Sequence, residues 1–340
     1  MFIDALIEYG LFTAKTLTLL LLFGLFVLLL VRGRHAVGTD AERGHLEVKN
    51  LDDRYTDMAD ALKHATLSPK AYKRWAKAEQ KADKARAKAD HAERPRLFVL
   101  DFHGDLLASE VTGLREIITA LLAEATREDE VLVRLDNAGG AVHEHGLAAS
   151  QLLRIRSRGI PLTVAVDRVA ASGGYLMACV ADRILAAPFA IIGSIGVVAQ
   201  LPNFHRWLNE RGIDFELHTA GEHKRTLTLF GENTEEGRAK LQAQIEETHQ
   251  LFKAFVREYR KDLDLDEVAT GEYWYGERAL ALGLVDEITT SDDYMLAARD
   301  RCELYRLRWE AKKRPWVRLL EGVRAALARL PLGLSQPQRH

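Results

Sequence analysis

From Arg96 onward, short apolar runs alternate with helix-type patterns, and this alternation limits the chain's possible folds more than any other feature. The segments RLFVLDF (96–102), VLVRLD (131–136) and IPLTVAV (160–166) read as strands, nearly continuous in apolar character, as expected of strands covered on both faces. Helical patterns at 109–126, about 141–157 and Ser172–Val180 follow them in turn. This order predicts an α/β fold of repeated β-α units around a mostly parallel, buried sheet. The run ADRILAAPFAIIGSIGVVAQ (181–200) reads as two further strand segments, a long helix is predicted over Thr234–Tyr259, and shorter elements continue to Leu307.

The residues before Arg96 have a different texture. Between Tyr9 and Val31 the only charge is Lys15, and TLTLLLLFGLFVLLLV (16–31) has none. Such a run is long enough to cross a hydrocarbon core of about 30 Å, with Lys15 snorkelling to the interface. Asp4 and Glu8 stand where a cleaved signal would be basic, and RGRH follows where small residues would precede cleavage, so a retained transmembrane helix is expected. Arg32, Arg34 and Arg43 beyond it favour a cytoplasmic body, although large domains can override that rule. Ser68-Pro69 then opens a helix expected to run to Arg94, rich in Ala, Lys and Arg and almost without an apolar face, which Pro95 stops. It carries nine Lys/Arg against four Asp/Glu between 70 and 94 and reads as a solvated spacer, with anionic lipid as a second reading.

Whole-chain electrostatics exclude one large class of function. A net charge of −2, with no nucleic-acid-binding motif, gives nucleic acid no footprint. Cys179 and Cys302 show neither C-x-x-C nor metal spacing and are expected as buried free thiols, with no disulfide framework, metal site or cofactor. At the far end, Trp316, Leu319, Leu320, Val323, Leu327 and Leu330 recur at helical spacing among Arg318, Arg324 and Arg329, predicting a basic amphipathic helix for a membrane surface or a neighbouring subunit.

In open α/β sheets, ligands gather where strand ends meet helix starts, and two such junctions carry paired glycines. In DNAGGAV (136–142), Asn137 and Ala138 turn the chain and Gly139-Gly140 lead into a helix; in AASGGY (170–175), Ser172 sits on the corner with Gly173-Gly174 behind it. Either pair alone is compatible with tight helix-on-strand packing. Together they point to acyl transfer, with an exposed Ser172 hydroxyl and the N–H groups of Gly173 and Gly139 as an oxyanion hole. The hydroxyl needs a base. His143, His145, His205, His218 and His223 are available but have no recognisable carboxylate partner, and Lys224 would serve only if burial kept its amine neutral.

The motifs DNAGGAV, AASGGY, IIGSIGVV and GEHKRTLTLFGENTEEG, in this order, resemble the S49 family of signal-peptide peptidases, and the apolar N-terminus with its Ala/Lys-rich helix looks like the membrane-anchored branch of it. The resemblance implies Ser172 as nucleophile and Lys224 as general base, an oxyanion donor at Gly139 with Gly140 beside it and Gly173 opposite, and Ser194 helping to orient the lysine amine. It implies a Clp/crotonase-type β-α superhelix, peptide substrates derived from membrane or signal peptides and bound as an extended strand, a homo-oligomeric ring, and a single-pass protein of the bacterial inner membrane. The family's usual S-P-G-G turn is here Asn137-Ala138-Gly139-Gly140, which lacks the stiffening proline. The expected layout is a transmembrane anchor (1–35), a charged helical spacer (36–95), a serine endopeptidase domain (96–310) and a C-terminal basic helix and tail (311–340). A crotonase-like acyl-CoA enzyme and a catalytically silent membrane scaffold are the alternatives.

Overall fold

The computed structural model describes residues 44–86, 94–221 and 223–311, with scattered helical positions between 9 and 24. The apolar runs form the expected strands. β1 (Gly44–Asn50) leads into α1 (Leu51–Thr66) and α2 (Pro69–Arg86), followed by β2 (Arg96–Gly104), α3 (Val111–Glu124), β3 (Glu130–Asn137), α4 (Val142–Ser157) and β4 (Leu162–Val166). After β5 (Val169–Ala171) come α5 (Gly173–Ala178), β6 (Arg183–Ala186), β7 (Ile191–Gly193), α6 (His205–Asn209) and α7 (Glu235–Tyr259). The chain closes with α8 (Leu265–Val268), β8 (Tyr273–Tyr275), α9 (Gly276–Ala281), β9 (Glu287–Ile288), α10 (Ser291–Ala298) and β10 (Glu303–Ala311).

The main sheet has the order β1-β10-β2-β3-β4-β6-β9, and every pair from β10 to β9 is parallel. Leu97, Val99, Leu100, Leu132, Val133, Leu162 and Val164 are wholly buried, which explains the continuous apolar runs. At Val166 the chain leaves this sheet. β5 touches β3 through one pair, Asn137 with Ala170, and pairs along its length with β7, which pairs antiparallel with β8. That single crossing point brings the residue after β5 alongside the turn after β3, and so places the site.

The stretch expected as a spacer, 36–95, is not uniform. Leu51 is buried in the core with Leu97, Val99 and Leu304, and Asp52 accepts from the Leu304 N–H at 2.9 Å. α1 therefore packs on the body of the protein, an arrangement hidden in the sequence because its buried contact is a single leucine. By contact, the chain divides into a unit of residues 47–308 and a second of 1–46 with 309–340. Within the second, His45 lies 3.8 Å from Glu310. Among the described residues no helix is long and apolar enough to cross a membrane. The expected span, Tyr9 to Val31, lies partly outside those residues, as do the end of the Ala/Lys helix at 87–93 and the amphipathic segment at 312–340.

One buried ion pair ties β2 to the turn before β3. Asp129 accepts from the backbone N–H and guanidinium of Arg96 and from the Thr126 N–H and hydroxyl. Burial pushes its carboxyl up, but these donors outweigh burial and hold the pKa at about 2, below the ordinary 3.8. A depressed carboxyl adds stability that is present above its unfolded pKa and lost as pH falls through the folded one. We expect Asp129→Asn to lower unfolding stability at neutral pH by roughly 2 kcal/mol and to flatten its acid dependence between about pH 4 and pH 2. Denaturant unfolding across that range checks this, and parallel curves for the two proteins would refute it.

Candidate active site

Ser172 occupies a strained corner. Its φ is 53° and its ψ −120°, a conformation that L-residues with a side chain rarely adopt. The strain is held from both sides: the Ser172 N–H donates to the Gly193 carbonyl at 2.8 Å, and its own carbonyl accepts the Leu176 N–H at 3.0 Å. The two glycines behind it are sterically required. A Cβ on Gly173 would stand 2.5 Å from the His145 ring, and one on Gly174 would stand 2.1 Å from the Asn137 carbonyl oxygen. Tyr175 anchors the short helix that follows. It is wholly buried, its hydroxyl donates to the Leu284 carbonyl at 2.9 Å, and burial pushes its phenol pKa up, so that it stays neutral.

The glycine turn after β3 lies directly against this corner. Gly139 has a φ of 91°, and a Cβ there would come within 2.7 Å of the Ser172 Cβ and 2.8 Å of the Gly173 nitrogen. A Cβ on Gly140 would come within 2.2 Å of the Leu106 carbonyl oxygen, which accepts the Ala141 N–H at 2.8 Å. The N–H groups have divided roles. That of Gly139 donates to Asn137 Oδ1 at 2.8 Å, whereas those of Gly140 and Gly173 have no hydrogen-bond partner among the described residues. The Gly139 N–H is thus taken up within the turn. Which way a peptide plane faces is set by its hydrogen bonds, and the spacing of glycines does not encode it.

Ser172, Gly173 and Gly140 open onto a cavity of about 180 Å³. Its other walls are mostly apolar: Val142 and Gly146 from α4, Leu176 from α5, Val197, and Thr248, Leu251, Phe252 and Phe255 from α7. Ser194 lies one residue past the carbonyl that holds Ser172, with a φ of 51° and its N–H donating to the Glu272 carbonyl at 2.6 Å. Lys224 is exposed on the loop between α6 and α7, where its N–H donates to the Gly221 carbonyl at 3.1 Å, and it does not line the cavity. The structure therefore brings together Ser172, Gly173, Gly139 and Gly140, with Ser194 adjacent, and leaves Lys224 on the surface loop. His143, His218 and His223 are exposed, whereas His145 is wholly buried against Gly173. Cys179 and Cys302 are free and buried. Among the described residues no group of His, Cys, Asp and Glu side chains is arranged to hold a metal ion.

Residues 4–152 match the family described as peptidase family S49 N-terminal, and residues 154–304 match peptidase family S49. The chain is 48% identical over 321 residues to the Probable protease SohB of Haemophilus influenzae, an alignment covering 91% of this chain and 90% of that protein. The proteins of the same name from two Buchnera aphidicola subspecies are similar as well. That of Schlechtendalia chinensis is 45% identical over 306 residues (86% of this chain, 99% of the relative), and that of Acyrthosiphon pisum 54% over 230 residues (68% of each).

The contact between the two corners can be tested directly. Gly139→Ala forces a left-handed alanine against the Ser172 side chain, and we expect labelling of Ser172 by a fluorophosphonate probe to slow by at least about tenfold. Labelling at the wild-type rate would mean that the turn does not touch Ser172 in solution.

Proposed function

The chain belongs to peptidase family S49, and from that premise we propose that it is a serine endopeptidase in which Ser172 attacks the peptide carbonyl and Lys224 is the general base. The observation that carries this reading is the strained Ser172 corner on a cavity that Gly173 and Gly140 also line, their N–H groups without a hydrogen-bond partner among the described residues. Donors fixed in this way meet negative charge as it develops on the tetrahedral intermediate, each worth roughly 3 to 4 kcal/mol, without having to reorganise. The corner and the parallel sheet behind it fit a Clp/crotonase-type superhelix.

Lys224 must deliver a neutral amine, which requires a dry surrounding. The loop that carries it, about 197–231, exposes Val198, Phe204, Trp207, Phe215 and Phe230, more apolar surface than a loop in water calls for. We propose that a second copy of the chain covers this surface in a homo-oligomeric ring, and that the loop then carries Lys224 to Ser172, with the Ser194 hydroxyl orienting the amine. The cavity walls suit an apolar side chain of the substrate, and the peptide would lie extended beside Ser172. Such a preference agrees with peptides released from membranes, signal peptides among them. The described helical residues Phe12, Leu17, Leu19, Leu20, Leu21 and Phe23 are all exposed, and with the uncharged run to Val31 they support anchoring in the bacterial inner membrane.

Purified full-length protein should cleave a fluorogenic peptide bearing an apolar residue before the scissile bond, and Ser172→Ala and Lys224→Ala should each abolish that cleavage. Full activity in either variant would overturn the dyad. Phe252→Arg, which places a charge in the cavity wall, should raise KM for the apolar peptide about tenfold or more with a smaller change in kcat. An unchanged KM would mean that the side chain binds elsewhere.

A further inference from the structure

A second pair of side chains sits behind the oxyanion turn with no part in the proposed chemistry. Asn137 is the last residue of β3 and is 1% exposed; His145, in the first turn of α4, is 0% exposed. The Asn137 Oδ1 accepts the Gly139 N–H at 2.8 Å and faces His145 Nε2 at 3.2 Å, while its Nδ2 donates to the Met177 sulfur at 3.3 Å. Room for this carboxamide exists only because its neighbour across the sheet is Gly104, where a Cβ would fall 2.1 Å from the Asn137 Cγ. The His145 ring in turn lies flush against Gly173, the residue whose N–H is the other oxyanion donor.

The hydrogen bonds fix which way the carboxamide faces and limit what the ring can donate to. The Gly139 N–H requires an oxygen at its end of the carboxamide, since a flipped amide would set Nδ2 against that N–H. Nε2 therefore meets an acceptor, as Nδ1 does at its own contact, and a neutral ring can donate to only one of the two. Nδ1 lies 2.9 Å from the Ala141 carbonyl, which also receives the N–H groups of Glu144 and His145. The Ala141 carbonyl already holds two N–H donors whereas Oδ1 holds only that of Gly139, so a ring proton at Nε2 supplies the second donor that Oδ1 can accept and fixes the carboxamide more firmly.

We infer that His145 is a positioning residue for this reaction: its Nε2–H fixes the Asn137 carboxamide, which holds the Gly139 N–H back and leaves the Gly140 N–H turned toward Ser172. The inference rests on the peptidase reading. In this chain the pair does by hydrogen bonding what a proline at 138 would do by covalent stiffness.

The test has two arms. In wild-type protein labelled with 15N-histidine and assigned against His145→Phe, Nε2 of His145 is expected in the protonated, pyrrole-type range; a pyridine-type Nε2 would overturn the inference. In peptide cleavage, His145→Phe keeps a flat ring against Gly173 but has no donor, and kcat is expected to fall about 10²- to 10³-fold with KM nearly unchanged, as for loss of one oxyanion donor. His145→Gln, whose amide can reach the Nε2 position, is expected to restore at least a tenth of the wild-type kcat. Full kcat in His145→Phe, or an equal loss in the folded Phe and Gln variants, would overturn the inference. A wild-type protein that cleaves no peptide would instead defeat the peptidase reading, and the resonance would still report on the Asn137 contact.

Discussion

The structure around the site depends on one close approach of backbone to backbone, where the end of β3 meets the end of β5. A single pair, Asn137 with Ala170, joins these strands. On either side of it, a Cβ on Gly139 or Gly174 would fall within 3 Å of the opposing chain. Glycine is destabilising in itself because of the backbone freedom it loses on folding, so its use at these positions reflects a distance that no side chain could fit. With the gap closed, the hydrogen bond from Ser172 to Gly193 and the pairing of β5 with β7 hold Ser172 at a positive φ that it would not adopt alone.

Residues whose environment is uniform were legible in the sequence. β2, β3 and β4 are buried on both faces, so their apolar runs announced them within a residue or two. The helices over 111–124, 142–157 and 235–259 followed from spacing, the last with a capping Thr234 that accepts the Gly237 N–H. β5, β8 and β9 are two or three residues long and have no periodicity to detect. The body's claim on α1 rests on Leu51, on the half-buried Tyr55 and on Asp52, which reaches Leu304 more than two hundred positions away, and no local pattern records such a contact.

At the site, the residue types were legible and their division of labour was not. Paired glycines after a strand announce a tight corner, and a serine on such a corner announces an exposed hydroxyl. That the Gly139 N–H is taken up within the turn depends on the Asn137 carboxamide, and Asn137 in sequence is an ordinary turn residue. His145 was legible only as one histidine among several. What distinguishes it is its complete burial, and burial depends on α4 and α5 packing through Gly173.

Charge is distributed in a way that bears on the proposed base. Ion pairs sit at the margins of the fold, Arg96 with Asp129, Arg260 with Asp286 and Arg301 with Glu130, whereas among the described residues no ionisable side chain lines the cavity beside Ser172. A lysine entering such a space meets no carboxylate to stabilise its ammonium form, so desolvation acts unopposed and favours the neutral amine. The exposed aromatic residues of the loop, with Phe204 and Phe215 both packed on Phe230, are the surface whose burial would drive the closure proposed for it. Under the proposed assembly, activation by desolvation would make proteolysis conditional on a second subunit covering the loop.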